Sequence, residues 1–106
     1  MVNLDPAVGH EQAKKRPCLV ISIDSFNQGP WRLVAILPIT SKNRNNFLHI
    51  QIDPPEGGLL KTSFVMCDQI RTISHDRIAT SSFGKVSDET LEKIEYALSR
   101  LLRLGL

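Results

Sequence analysis

For the first 86 residues the apolar positions fall into short runs that alternate with polar stretches, and after that they recur at a helical period. Pro17 to Ile23 ("PCLVISI") is apolar and rich in β-branched residues, the composition of a strand. Arg32 to Ile39 ("RLVAILPI") is apolar for nearly its whole length, which predicts a central strand buried on both sides. Pro38 has no N–H to give a ladder and is expected to weaken its last rungs. In "FLHIQI" (47–52), Phe47, His49 and Gln51 face one way and Leu48, Ile50 and Ile52 the other, so His49 is expected on a half-exposed sheet face. One strand is predicted over 62–73 ("TSFVMCDQIRTI") and a weaker one over 77–86 ("RIATSSFGKV"). The stretches "DSFNQGPW", "TSKNRNN" and "DPPEGG" read as loops or turns, as does Asp5-Pro6 with Gly9 in the opening "VNLDPAVGHEQ".

From Ser87 onward Leu91, Ile94, Ala97, Leu98, Leu101 and Leu102 return at steps of three and four, the stripe of an amphipathic helix. Ser87 is placed to cap it, Asp88 and Glu89 lie at the positive end of its dipole, and Arg100 and Arg103 lie near the negative end. Gly105 is expected to close it. Five short strands and a terminal helix predict a mainly β fold: a strongly bent sheet or small barrel with the helix plugging one side. The length of 106 residues suits one domain, 1–106.

Composition narrows the class without naming a function. A hydrophobic fraction of 42% and a charged fraction of 23% are those of an ordinary soluble globular protein. No apolar run approaches the roughly 20 residues that cross a bilayer, and no secretion signal opens the chain, so a cytoplasmic protein is expected. Cys18 and Cys67 sit within apolar runs and are expected as buried thiols. His10, His49 and His75 have neither the spacing nor the cysteine partners of a metal site, so none is expected. The net charge of +2 says little, but segments 10–16, 42–44 and 71–77 hold seven Lys or Arg against two carboxylates. Brought together they would suit a polyanion; scattered, they would be ordinary solvated charges.

Four features could carry chemistry: Glu11 with Arg16, Thr40 and Ser41 beside Lys42, Asp68 and Gln69 within an apolar strand, and His49. Each alone has a structural reading as a surface ion pair, turn-forming hydroxyls, a hydrogen-bonded polar pair or a packed imidazole. In combination they are the parts needed to hold a phosphodiester: cations and hydroxyls for the phosphoryl oxygens, and a carboxylate to accept a proton.

Through "LDPAVGHEQAKKRPCLVIS" (4–22), "ILPITSK" (36–42), "CDQIRTI" (67–73) and the late helix, the chain resembles the MazF/PemK (Kid) family of toxin endoribonucleases from bacterial toxin–antitoxin modules. The resemblance implies an SH3-like barrel that forms a homodimer and cleaves single-stranded RNA without a metal or other cofactor. It also implies attack by the ribose 2′-hydroxyl, leaving a 2′,3′-cyclic phosphate and a 5′-hydroxyl. Carried over by position, the catalytic residues are Arg16, Thr40 and Glu11, with His10 as the rival base. RNA contacts are expected from His10, Gln12, Lys15, Ser41, Lys42, Arg44, Asp68, Gln69 and Arg71. The Kid branch has an arginine two residues before the aspartate of the D-Q motif; here that position is Met66, so that branch's acid–base assignment does not pass to Asp68. Family members usually carry about ten further residues ahead of "VNLDP", which implies either a start placed too late or a shortened first strand. An acidic antitoxin that occupies the RNA groove is the implied partner. Two alternatives stay open. One is a CcdB-like, gyrase-binding toxin on the same barrel, although this chain ends "RLGL" and not Trp-Gly-Ile. The other is an inactive domain that binds RNA or antitoxin.

Overall fold

The computed structural model describes residues 6–11, 16–79 and 82–105. Within them lie seven strands: β1 (Ala7–His10), β2 (Pro17–Val20), β3 (Leu33–Thr40), β4 (His49–Ile52), β5 (Ser63–Met66), β6 (Arg71–Ser74) and β7 (Gly84–Lys85). Helix α1 (Asp24–Asn27) precedes β3, and α2 (Asp88–Leu102) ends the chain. The strands form one antiparallel sheet in the order β4-β5-β3-β2-β1-β7, with β6 added to β3. β1 pairs on both sides, with β2 and β7, and the expected shortening of the first strand concerns residues 1–5, which lie outside the described residues.

β3 organises the sheet. On one edge it pairs with β2, and on the other it pairs with β6 along its first half and β5 along its second. Its alternate residues enter two cores: Leu37 and Ile39 pack with Val8, Leu19, Val65 and helix residues Ile94, Ala97 and Leu98, while Val34 and Ile36 pack with Cys18, Val20, Ile73 and Ile78. The continuous apolar run is therefore buried on both faces, as its composition required.

The strand expected over 62–73 is broken in the structure. β5 pairs Ile39 with Val65, whereas β6 pairs Ile36 with Arg71. Both run along the same edge of β3, but the register jumps by three. Residues Cys67–Gln69, a 3₁₀ turn, take up that jump. Such an insertion bends a sheet and re-aims the side chains at the break. Asp68 and Gln69 accordingly leave the ladder.

Other expectations shift in detail. The "DSFN" loop contains α1, where Asn27 is buried and donates from Nδ2 to the Ser22 carbonyl at 2.9 Å. Helix α2 begins as read: Ser87 Oγ accepts from the Thr90 N–H at 3.1 Å. Its C-terminal left-handed position is taken by Arg103 (φ +57°), two residues before Gly105. No helix among the described residues is long and apolar enough to cross a membrane.

Candidate active site

Two ladders bring the opening segment onto β3. The β1–β2 register sets His10 opposite Pro17, and one step further the Glu11 N–H donates to the Arg16 carbonyl at 3.1 Å. The β2–β3 ladder ends at the Cys18–Pro38 pair, with Arg16 just before β2 and Thr40 the last residue of β3. Residues directly opposite in an antiparallel ladder share a face. Glu11 and Arg16 thus share a face, and with Thr40 they stand at the ends of three neighbouring strands.

These three residues line a cleft of about 840 Å³. Ser41, Lys42, Arg44, Gln69 and Arg71 stand on its walls with Glu11, Arg16 and Thr40, so eight of the expected site residues converge there. Five cations, Arg16, Lys42, Arg44, Lys61 and Arg71, face it against one carboxylate, Glu11, among the described residues. A concave surface of one sign concentrates polyanions. Four of the seven cations of those segments, Arg16, Lys42, Arg44 and Arg71, are therefore gathered at one cleft.

The Glu11 side chain is 5% exposed. One of its oxygens accepts from Arg71 Nη2 and the other from Arg77 Nη2, the latter at 3.0 Å. Arg77 stands off the cleft walls, and its pairing with Glu11 joins the turn after β6 to the end of β1. Arg71 reaches into the cleft while tied to Glu11, which fixes where its charge is presented. Thr40 is similarly oriented: its Oγ1 accepts from the Lys42 N–H at 3.2 Å, so the hydroxyl keeps its own proton to donate elsewhere.

Two expected residues sit off the cleft walls. The His10 ring stacks on Phe83, with centroids 5.3 Å apart, and Phe83 rather than His10 borders the cleft. Asp68 accepts from His49 Nε2 at 2.9 Å and from Asn46 Nδ2 at 3.1 Å. His49 stands on the half-exposed face expected for it, beside exposed Phe47 and Gln51, but its own side chain is 3% exposed where it meets Asp68. Gln12 and Lys15, along with Lys14, lie outside the described residues. The cleft also includes residues that the sequence did not single out, Lys61 and Phe83. Nothing local marks Lys61, but an exposed aromatic beside gathered cations is a combination suited to stacking an unpaired base.

Both thiols are buried. Burial, with the Glu11 charge adding to it, pushes Cys18 up to about 11, and burial beside Asp68 pushes Cys67 up to about 12. Neither is a thiolate at neutral pH, so neither is a nucleophile for this cleft.

The PemK-like, MazF-like toxin of type II toxin-antitoxin system model matches residues 1–102. The chain is 34% identical to endoribonuclease EndoA of Bacillus subtilis over 103 residues, covering 96% of this chain and 88% of that protein. It is 31% identical to endoribonuclease PemK of Escherichia coli over 105 residues, covering 96% and 77%. A mycobacterial endoribonuclease solved in complex with its cognate antitoxin superposes with a TM-score of 0.82 at 25% identity, over 97% of each chain.

Proposed function

The chain belongs to the PemK-like, MazF-like toxin family of type II toxin–antitoxin systems, and from that premise we propose that it is a sequence-selective endoribonuclease whose centre is formed by Glu11, Arg16 and Thr40. The observation that supports this reading is that Arg16 and Thr40 line one cationic cleft with Glu11. A phosphodiester seated between them meets a guanidinium and a hydroxyl donor at its non-bridging oxygens. Donors in place before the charge develops lower a barrier most.

The reaction is an internal transfer. The 2′-oxygen forms a bond to phosphorus as its proton leaves, the P–O5′ bond breaks, and the departing oxygen takes up a proton. The products are a 2′,3′-cyclic phosphate and a 5′-hydroxyl. Glu11 is the carboxylate on the described walls and acts as the proton acceptor. A carboxylate offers about four acceptor positions, and the two guanidiniums occupy two of them. Lys42, Arg44, Lys61 and Arg71 follow the flanking phosphates, and Phe83 offers a face for a base. The protein acts in the cytoplasm as a homodimer. An acidic antitoxin segment silences it by occupying the same cationic cleft, by the same charge logic that draws RNA. The endoribonuclease names of the relatives favour this reading over a gyrase-binding toxin.

The test is incubation with short RNAs in EDTA, beside an Arg16→Ala variant and a substrate with a 2′-deoxy scissile ribose. Cyclic-phosphate ends are expected only with the ribose intact and Arg16 present. Cleavage of the deoxy substrate, or full activity in the alanine variant, would overturn the mechanism.

A further inference from the structure

The β3–β4 loop carries two of the cleft's cations, Lys42 and Arg44, on an exposed segment without regular secondary structure. Its course is nevertheless fixed by side chains that bond the backbone two residues on. Thr40 Oγ1 accepts from the Lys42 N–H, Asn43 Oδ1 from the Asn45 N–H at 2.9 Å, and Asn46 Oδ1 from the Leu48 N–H at 2.8 Å. The last of these turns settles the Asn46 amide: with its oxygen on Leu48, its Nδ2 is directed at Asp68 Oδ2. The other Asp68 oxygen is held by His49 Nε2. A carboxylate only accepts, so the ring proton is on Nε2. Asp68 can reach both partners because the three-residue register jump lifts it out of the sheet.

We propose that Asp68, with Asn46 and His49, is a latch that holds the β3–β4 loop on the rim of the cleft. It thereby sets how many phosphates beyond the scissile one the protein grips. Asp68 is then a positioning residue, acting through Lys42 and Arg44 and not on the reacting atoms. The inference rests on the RNA-cleaving role proposed above.

The test uses binding as well as turnover. Asn46→Asp keeps the Leu48 turn but sets one carboxylate against another. The double variant, Asn46→Asp with Asp68→Asn, exchanges amide and carboxylate and restores complementary partners, while the amide oxygen introduced at position 68 still accepts from His49. Affinity for a fully 2′-O-methylated RNA, which lacks the attacking hydroxyl, is measured against salt. Each phosphate contact on a single strand contributes about 0.7 to the slope of log K against log salt, so losing two flattens it by about 1.4. Asn46→Asp is expected to flatten the slope by that amount and raise KM with kcat nearly unchanged. The double variant is expected to return both, and Lys42→Ala/Arg44→Ala to flatten the slope alike, with no further loss when Asn46→Asp is added. An unchanged slope in Asn46→Asp, or a loss confined to kcat, overturns the latch. If wild type cuts no RNA, the nuclease reading falls, and the slopes still decide the latch.

Discussion

Arg16, just before β2, and Thr40, at the end of β3, line the same cleft where these two paired strands open onto it. Their segments are far apart in sequence, and the pairing of β2 with β3 brings them to one cleft.

Thr40→Val removes the hydroxyl and nearly preserves volume. Losing one donor to a developing oxyanion typically costs about 10²–10³ in kcat. The expected result is a loss in that range for Thr40→Val and near-normal turnover for Thr40→Ser, which keeps the donor and the acceptor for Lys42 N–H. Single-turnover cleavage of one RNA by the three proteins checks it.

Glu11 separates a catalytic from a structural role. Removing one member of a buried ion pair is expensive when the remaining charge stays buried. Here the Arg71 and Arg77 side chains are 44% and 45% exposed and can turn to water. Glu11→Ala should therefore cost only about 1–2 kcal/mol of stability by urea denaturation. Glu11→Gln keeps an acceptor for one guanidinium but is a far poorer base. If Glu11 takes the 2′-proton, its kcat falls by about 10²–10⁴ while stability stays near wild type.

The elements legible in the sequence were those whose signal is local. β2, β3, β4 and α2 announce themselves by apolar period, and Ser87 by its place before an acidic turn. The break at Cys67–Gln69 is not local: "MCDQI" reads as strand, and only the two different registers against β3 reveal the three-residue jump. β7 has two residues, too few for any period, and is held by close packing on the turn at Gly57 and Gly58. The site followed the same rule. Glu11, Arg16 and Thr40 sit in a recognisable motif, whereas Lys61, Phe83, Asn46 and Arg77 gain their places through contacts distant in the chain.

Gly58 tests that packing. Its φ is +72°, and a Cβ there would lie 2.2 Å from the Phe83 carbonyl oxygen and 2.7 Å from its carbon, both backbone atoms that cannot swing aside. Gly58→Ala combines left-handed strain with that overlap, for an expected loss of at least about 2 kcal/mol and a Tm lower by about 10 °C. Phe83 borders the cleft and stacks on His10, so RNA affinity should fall as well. At Gly57 the nearest atom is the end of the Val8 side chain, at 2.8 Å, and Gly57→Ala should cost less.

Glu56 ties the turn after β4 to the start of α2, its Oε2 accepting from the Ser87 N–H at 2.9 Å. Burial alone would raise its carboxyl, but hydrogen bonds from Thr90 and Ser87 and the Lys93 charge outweigh that and hold it below its ordinary 4.5. A carboxyl lowered in the folded state favours folding at any pH above the unfolded value, and that contribution disappears as pH falls through the lower folded value. Glu56→Gln should therefore lower Tm at pH 7, and the gap to wild type should narrow below pH 4.5 as the native carboxyl protonates. Melting curves of the two proteins from pH 7 to pH 3 decide it: a gap that stays constant across that range would show that the carboxylate's charge does not hold the helix in place.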